Sequence, residues 1–148
     1  MSHMTDLTGE AGEPLESVES FIARAEAWLP EHLAPIDPIR MENGFGSDEE
    51  ELAAVARMRA TQRTLFDGGF AGICFPAEYG GLGLTPAHQR AFDEACAPYD
   101  MPTLINIPTL VPCGAVLLEF GTEEQKQAHI PAMLKGEELW MQLSLIHI

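Results

Sequence analysis

A chain of 148 residues with 8 basic and 23 acidic side chains carries a formal charge of −15, and 46% of its residues are hydrophobic. That apolar content excludes a disordered acidic tail and suffices for one self-contained core, while the charge disfavours nucleic acid and anionic membrane surfaces as partners. Three cysteines, Cys74, Cys96 and Cys113, form no C-x-x-C pair and read as the reduced thiols of a cytoplasmic protein.

Residues 5–14 are polar and contain Gly9, Gly12 and Pro14, and 1–14 as a whole is expected to be a disordered leader, with Met1–Met4 left out of the fold reading. From Leu15 a helical period begins, with Val18, Phe21, Ile22, Ala25, Trp28, Leu29 and Leu33 on one stripe. Pro30 is expected to bend this helix, and Pro35 with Pro38 to end it. Ser47-Asp48-Glu49-Glu50 is a capping box that opens a second helix and sets negative charge on its positive end. The spacing assigns Leu52, Val55, Met58 and Leu65 to its apolar side, and Gly68-Gly69 to its end.

Residues 70–84 mix glycine and proline with large apolar groups, which predicts a packed, ordered loop. Thr85 and Pro86 start a third helix that runs to about Ala97, where Ala87, Ala91, Ala95 and Ala97 leave room for a close neighbour. A turn between Tyr99 and Thr103 leads into a fourth helix over Leu104–Phe120, irregular at Pro108 and Pro112 and stopped by Gly121. Thr122-Glu123-Glu124-Gln125 is a second capping box, opening a fifth helix that Pro131 interrupts and Gly136 closes. No alternating strand pattern and no apolar run near the length of a membrane span is expected. The fold class is therefore all-α, a bundle of about five helices.

Chemistry-bearing motifs are few. The G-G-x-G of Gly80–Gly83 has no preceding strand, so it reads as a tight turn and not as a nucleotide loop. His88 and His129 lie on amphipathic helices without an obvious partner, which favours solvated or satisfied imidazoles, and no metal ligand set is expected. On the fourth helix Ile105, Pro108, Thr109 and Pro112 fall at i, i+3, i+4 and i+7, a face that either enters the core or lines an apolar ligand pocket.

Two blocks carry a resemblance. Gly69–Gly83 reads GFAGICFPAEYGGLG; Phe120–Lys126 reads FGTEEQK, followed by Ile130-Pro131 and by LKGEELWMQ over Leu134–Gln142. In this order and separation they resemble the acyl-CoA dehydrogenase family, from Leu15 to Gln142. The resemblance implies an N-terminal helical domain, followed in family members by a β-domain that holds FAD and a C-terminal helical bundle. It implies oxidation of an acyl-CoA thioester to a trans-2-enoyl-CoA, with a glutamate taking the α proton and the flavin taking the β hydride. It also implies an electron-transfer flavoprotein as partner and a homotetramer or heteromer.

Within that resemblance, Ile105, Pro108, Thr109 and Pro112 become candidate lining of the acyl pocket. Gln142 and Leu143 become the earliest positions that could touch FAD. The family's usual Gly-Pro is Gly114-Ala115 here, with Pro112 two residues upstream, so chain-length preference does not carry across. No catalytic residue is assigned, because the family's glutamate base belongs to a later part, and the 148-residue chain alone is expected to be an inactive fragment. Leu143–Ile148 departs from the family and resembles the translated transposon end used in sequencing-library preparation, an aberrant tail at a truncation point. Flavin monooxygenases and nitroalkane oxidases share the helical domain and give an alternative reaction. A stand-alone acidic interaction module gives another reading of the chain.

Overall fold

The computed structural model describes residues 15–37 and 46–143. The expected leader, the stop at Pro38 and the tail beyond Leu143 lie outside the described residues. Among the described residues five helical rods follow in chain order: α1 (Val18–His32), α2 (Asp48–Asp67), α3 (Pro86–Cys96), α4 (Thr103–Phe120) and α5 (Glu123–Leu134). The described residues contain no strand, and one isolated bridge joins Pro35 to Tyr99. The all-α assignment stands.

Four of the five rods start where a side chain can satisfy orphan N–H groups; α4 follows Pro102 without a side-chain cap. The Ser17 hydroxyl accepts from Ser20 N, Ser47 from Glu50 N, and Thr122 from Gln125 N, whose own side chain returns to Thr122 N. The box at Ser47 differs from expectation in one bond: the Glu50 carboxylate takes Gly46 N–H at 2.8 Å, one residue further out than the cap. Thr85 is reciprocated by His88, which occupies the third helical position.

The core has two halves. In the first, α1 and α3 pack through Phe21, Ala25, Leu29, Phe92 and Cys96, closed by Leu65, Phe70 and Ile73. Phe70 stacks on Phe92 with ring centroids 5.5 Å apart, and the Arg24 guanidinium lies 4.6 Å over Phe70 while pairing with Glu16 at 3.1 Å. The second half gathers Tyr79, Leu117, Ile130, Met133 and Leu134, and Phe66 packs against both.

The packed loop connects the halves. Gly72, Gly80 and Gly83 hold positive φ, and a Cβ at Gly81 would collide with the Phe75 carbonyl, so the G-G-x-G serves a turn. A short 3₁₀ turn over Ala77–Tyr79, not foreseen in the sequence, buries Tyr79. Its hydroxyl donates to Glu123 at 2.9 Å, and burial, helped by that carboxylate, pushes it up to about 12.

Four local expectations need correction. Leu52 is exposed and α2 instead buries Ala54, Gln62 and Leu65, because its first half extends beyond the core. The face of α3 that enters the core is His88, Phe92 and Cys96, and the alanines flank it, since i, i+4 and i+8 form the narrower stripe. Pro131 does not interrupt α5, which runs through to Leu134. The carbonyl that loses its N–H partner belongs to Gln127, on an exposed turn where water can replace it. Finally, Thr103–Phe120 is long and apolar enough to cross a membrane by length and composition, with a mean hydropathy of 1.5. Only Glu119 is charged there; the run escapes a count of consecutive apolar residues because Asn106, Thr109 and two prolines divide it. One such helix is weak evidence, and α4 packs one side, through Ile105, Thr109, Gly114 and Leu117, onto its own domain.

Candidate functional site

The middle of α4, Thr109–Gly114, is a π segment between two α segments. Pro112 has no N–H to give, and in an α-turn its ring would meet the Pro108 carbonyl; the wider turn removes that clash. The segment turns Thr109 inward, where it is 2% exposed. Its Oγ1 accepts from Trp140 N and donates to Trp140 O, both at 3.1 Å.

Trp140 is held a second time through its ring. Its Nε1 donates to Glu138 Oε2 at 2.8 Å, and His129 Nδ1 lies 2.9 Å from the same carboxylate. The rings of His129 and Trp140 meet edge to face with centroids 5.1 Å apart. The Trp140 hydrogen bond, with His129 as a lesser contributor against burial, holds the Glu138 carboxyl below its ordinary value.

Beyond Trp140 the chain passes Met141, Gln142 and Leu143, all exposed. Gln142 borders a half-open cavity of about 500 Å³ together with Pro112, Leu117, Phe120 and Trp140. Leu143 does not border this cavity, and the two residues, one amide and one apolar side chain, are too few to enclose a planar aromatic cofactor.

A larger cavity, about 720 Å³, opens between the packed loop, α3 and the first half of α4. Of the four residues placed on the candidate pocket face, none borders it. Ile105 and Thr109 are buried against the domain, Pro108 is half-buried, and Pro112 borders the smaller cavity. The adjoining face of α4, with Asn106, Ile107, Leu110 and Val111, lines the large one.

Asn106 and Gln62 went unnoticed in the sequence. Gln62, 1% exposed, donates Nε2 to the Leu134 carbonyl at 2.6 Å and accepts from Asn106 Nδ2 at 2.7 Å. Arg59 completes the same task by donating to the Gly136 and Glu137 carbonyls at 2.7 and 2.9 Å. Two α2 side chains thus satisfy the last carbonyl of α5, at Leu134, and two in the turn that follows it. The signal available was the lone amide at Asn106 within an otherwise apolar stretch; Gln62 gave none.

The remaining candidates are structural. His88 is buried, its Nε2 2.8 Å from the Glu16 carbonyl and its Nδ1 2.8 Å from the Thr85 hydroxyl. A carbonyl only accepts, so Nε2 carries the proton and both ring nitrogens are satisfied. Burial pushes Cys96 up to about 12 and raises Cys74, so neither supplies a thiolate near neutrality. Among the described residues no group of three metal-ligating side chains occurs.

Outside these contacts α4 exposes Leu104, Ile107, Val111, Val116 and Phe120, and the segment after α5 exposes Leu139, Met141 and Leu143. Isolated apolar residues on a surface are ordinary, whereas the five on α4 share one helix.

The family described as "Acyl-CoA dehydrogenase, N-terminal domain" matches residues 16–137. Acyl-CoA dehydrogenase IpdE1 of Mycobacterium tuberculosis is 33% identical over 128 residues, covering 86% of this chain and 33% of that protein. Its namesake from Mycolicibacterium smegmatis is 33% identical over 125 residues, covering 84% of this chain and 31% of its own. Acyl-CoA dehydrogenase FadE34 of M. tuberculosis is 37% identical over 105 residues, 66% of this chain and 14% of the other. No solved structure gives a significant match. The chain spans about a third of the length of the IpdE1 proteins it matches. Capped helices, the glycine-locked loop and the matched span agree: the chain belongs to the acyl-CoA dehydrogenase family, as its N-terminal helical domain.

Proposed function

We propose that this chain is the N-terminal helical part of an FAD-dependent acyl-CoA dehydrogenase that oxidises an acyl-CoA thioester to a trans-2-enoyl-CoA in the cytoplasm. Its electrons would pass to an electron-transfer flavoprotein, from an assembly that is a homotetramer or a heteromer. The observation that carries this reading is the family match across residues 16–137.

The chain's own contribution is to bind, orient and exclude water. The apolar row on α4 supplies a wall against which an acyl group and the rest of the enzyme can close, shutting out solvent. Ile105 and Thr109 brace that wall from behind, Pro108 and Pro112 shape its middle, and Pro112 faces the smaller cavity. The Thr109–Trp140–Glu138 contacts hold the segment that leads to Gln142 and Leu143, which would be the chain's first residues to meet the cofactor. FAD, when bound, supplies the acceptor for the substrate hydride.

The test is steady-state oxidation of a panel of acyl-CoA thioesters by the longer polypeptide that carries this segment, with an electron-transfer flavoprotein as acceptor. Thioester-dependent reduction of the acceptor with release of the 2-enoyl product is expected. Oxygen consumption with a nitroalkane and none with any thioester would move the protein to the oxidase branch of the fold.

A further inference from the structure

Hydrogen-bond direction along the Leu134–Gln62–Asn106 relay sets what the large cavity offers a ligand. A carbonyl oxygen accepts and cannot donate, so the Gln62 group 2.6 Å from the Leu134 oxygen is its NH₂. The Gln62 carbonyl then faces Asn106 and takes the Asn106 NH₂ at 2.7 Å. Neither amide can flip without bringing like groups together, and Gln62 is too buried for water to relieve that. Asn106 is therefore locked in one orientation on the cavity it lines: Gln62 takes one hydrogen of its NH₂, and among the described residues no hydrogen bond engages its carbonyl oxygen.

Asn106 sits among apolar neighbours on a lining that also carries Asp93, Asp100 and Thr103. Leu65 and Phe92 share the lining and are almost fully buried, and Ile107 and Leu110 flank Asn106 on α4. The other amide on the lining, Gln89, is spent on Asp93 at 2.8 Å. A cavity of about 720 Å³ is within the usual range for a small organic ligand.

We propose that Asn106 is a specificity-determining residue: its side-chain oxygen accepts from a hydroxyl on the apolar portion of the ligand, selecting hydroxylated over plain hydrocarbon groups. As a statement about a substrate, this rests on the proposed dehydrogenase function, where the ligand is the acyl group of the thioester. As a statement about a binding site, it stands without it. The principle is general: a site built to hydrogen-bond a hydroxyl discriminates against the analogue lacking it, whereas an apolar wall discriminates weakly.

The experiment uses two probes of similar shape, cyclohexanol and methylcyclohexane. Each is titrated into the ¹⁵N-labelled chain at a concentration where it is monomeric, following the Asn106 side-chain amide by NMR. Cyclohexanol is expected to move the Asn106 resonances and to bind about fivefold more tightly, the worth of one ordinary hydrogen bond. Asn106→Leu should erase the difference by weakening cyclohexanol alone. Equal affinities in the wild-type chain, unmoved Asn106 resonances, or no binding of either probe would overturn the proposal. If Asn106→Leu does not fold, the wild-type comparison decides by itself. Discrimination of the probes without thioester oxidation by the longer polypeptide would remove the dehydrogenase reading and leave the site.

Discussion

Thr109 Oγ1 stands 3.1 Å from both the nitrogen and the oxygen of Trp140, so one buried hydroxyl satisfies both backbone polar groups of a residue on the far side of α5. Thr109→Val keeps the shape and removes both bonds. It is expected to destabilise the chain by about 1–3 kcal/mol, the cost of leaving such groups without a partner. Urea unfolding measures it, and an unchanged midpoint would mean that Trp140 is held by its ring contacts alone.

Glu138 makes the same segment acid-sensitive. Trp140, and after it His129, hold its carboxyl below the ordinary 4.5, so the unfolded chain binds more protons than the native one as pH falls. The stability it contributes is present above the unfolded value and is lost as pH falls through the depressed folded one. Glu138→Gln keeps an acceptor for Trp140 and removes the charge. The gap in urea midpoint between the two proteins should be constant near neutrality and close between about pH 5 and pH 3. A gap independent of pH would contradict the assignment; because the carboxylate is over a third exposed, solvent screening keeps the effect small.

In the G-G-x-G turn, two substitutions separate conformational cost from collision. Gly83 has φ +62°, and a Cβ there would make only an ordinary contact, 3.9 Å from the Ala77 nitrogen, so Gly83→Ala should cost about 1–2 kcal/mol. At Gly81 the obstacle is the Phe75 backbone, which cannot move without breaking the loop, so Gly81→Ala should cost clearly more. Thermal denaturation of the two variants checks the order. The reverse order would mean that the turn is looser than its geometry.

Self-association tests the apolar row on α4. Phe120 is 80% exposed, and the chain is expected to associate as its concentration rises. Phe120→Glu should suppress that while changing stability by less than about 0.5 kcal/mol, as surface substitutions usually do. Sedimentation velocity at several concentrations decides it, and a wild-type chain that stays monomeric throughout would mean the row is tolerated by water.

These residues also show what a sequence can disclose. The caps at Ser47 and Thr122, the Thr85-Pro86 start and the glycine turn were legible because each is settled within four or five residues. The buried glutamine was not: the partners of Gln62 are Asn106 and Leu134, 44 and 72 positions away, and nothing in its neighbourhood distinguishes it from a solvated one. The candidate pocket face failed to align with the large cavity for a related reason. Its i, i+3, i+4, i+7 spacing fits a core-facing stripe as well as a pocket wall; Ile105 and Thr109 turn to the core, and the cavity lies on the adjoining face of Asn106, Ile107, Leu110 and Val111.

The proposed function is tested most directly by anaerobic titration of the longer, flavin-loaded polypeptide with acyl-CoA thioesters, watching the flavin absorbance. The account predicts that a thioester bleaches the flavin in stoichiometric proportion and yields the trans-2-enoyl product. A flavin that stays oxidised with every thioester, hydroxylated ones included, would contradict it.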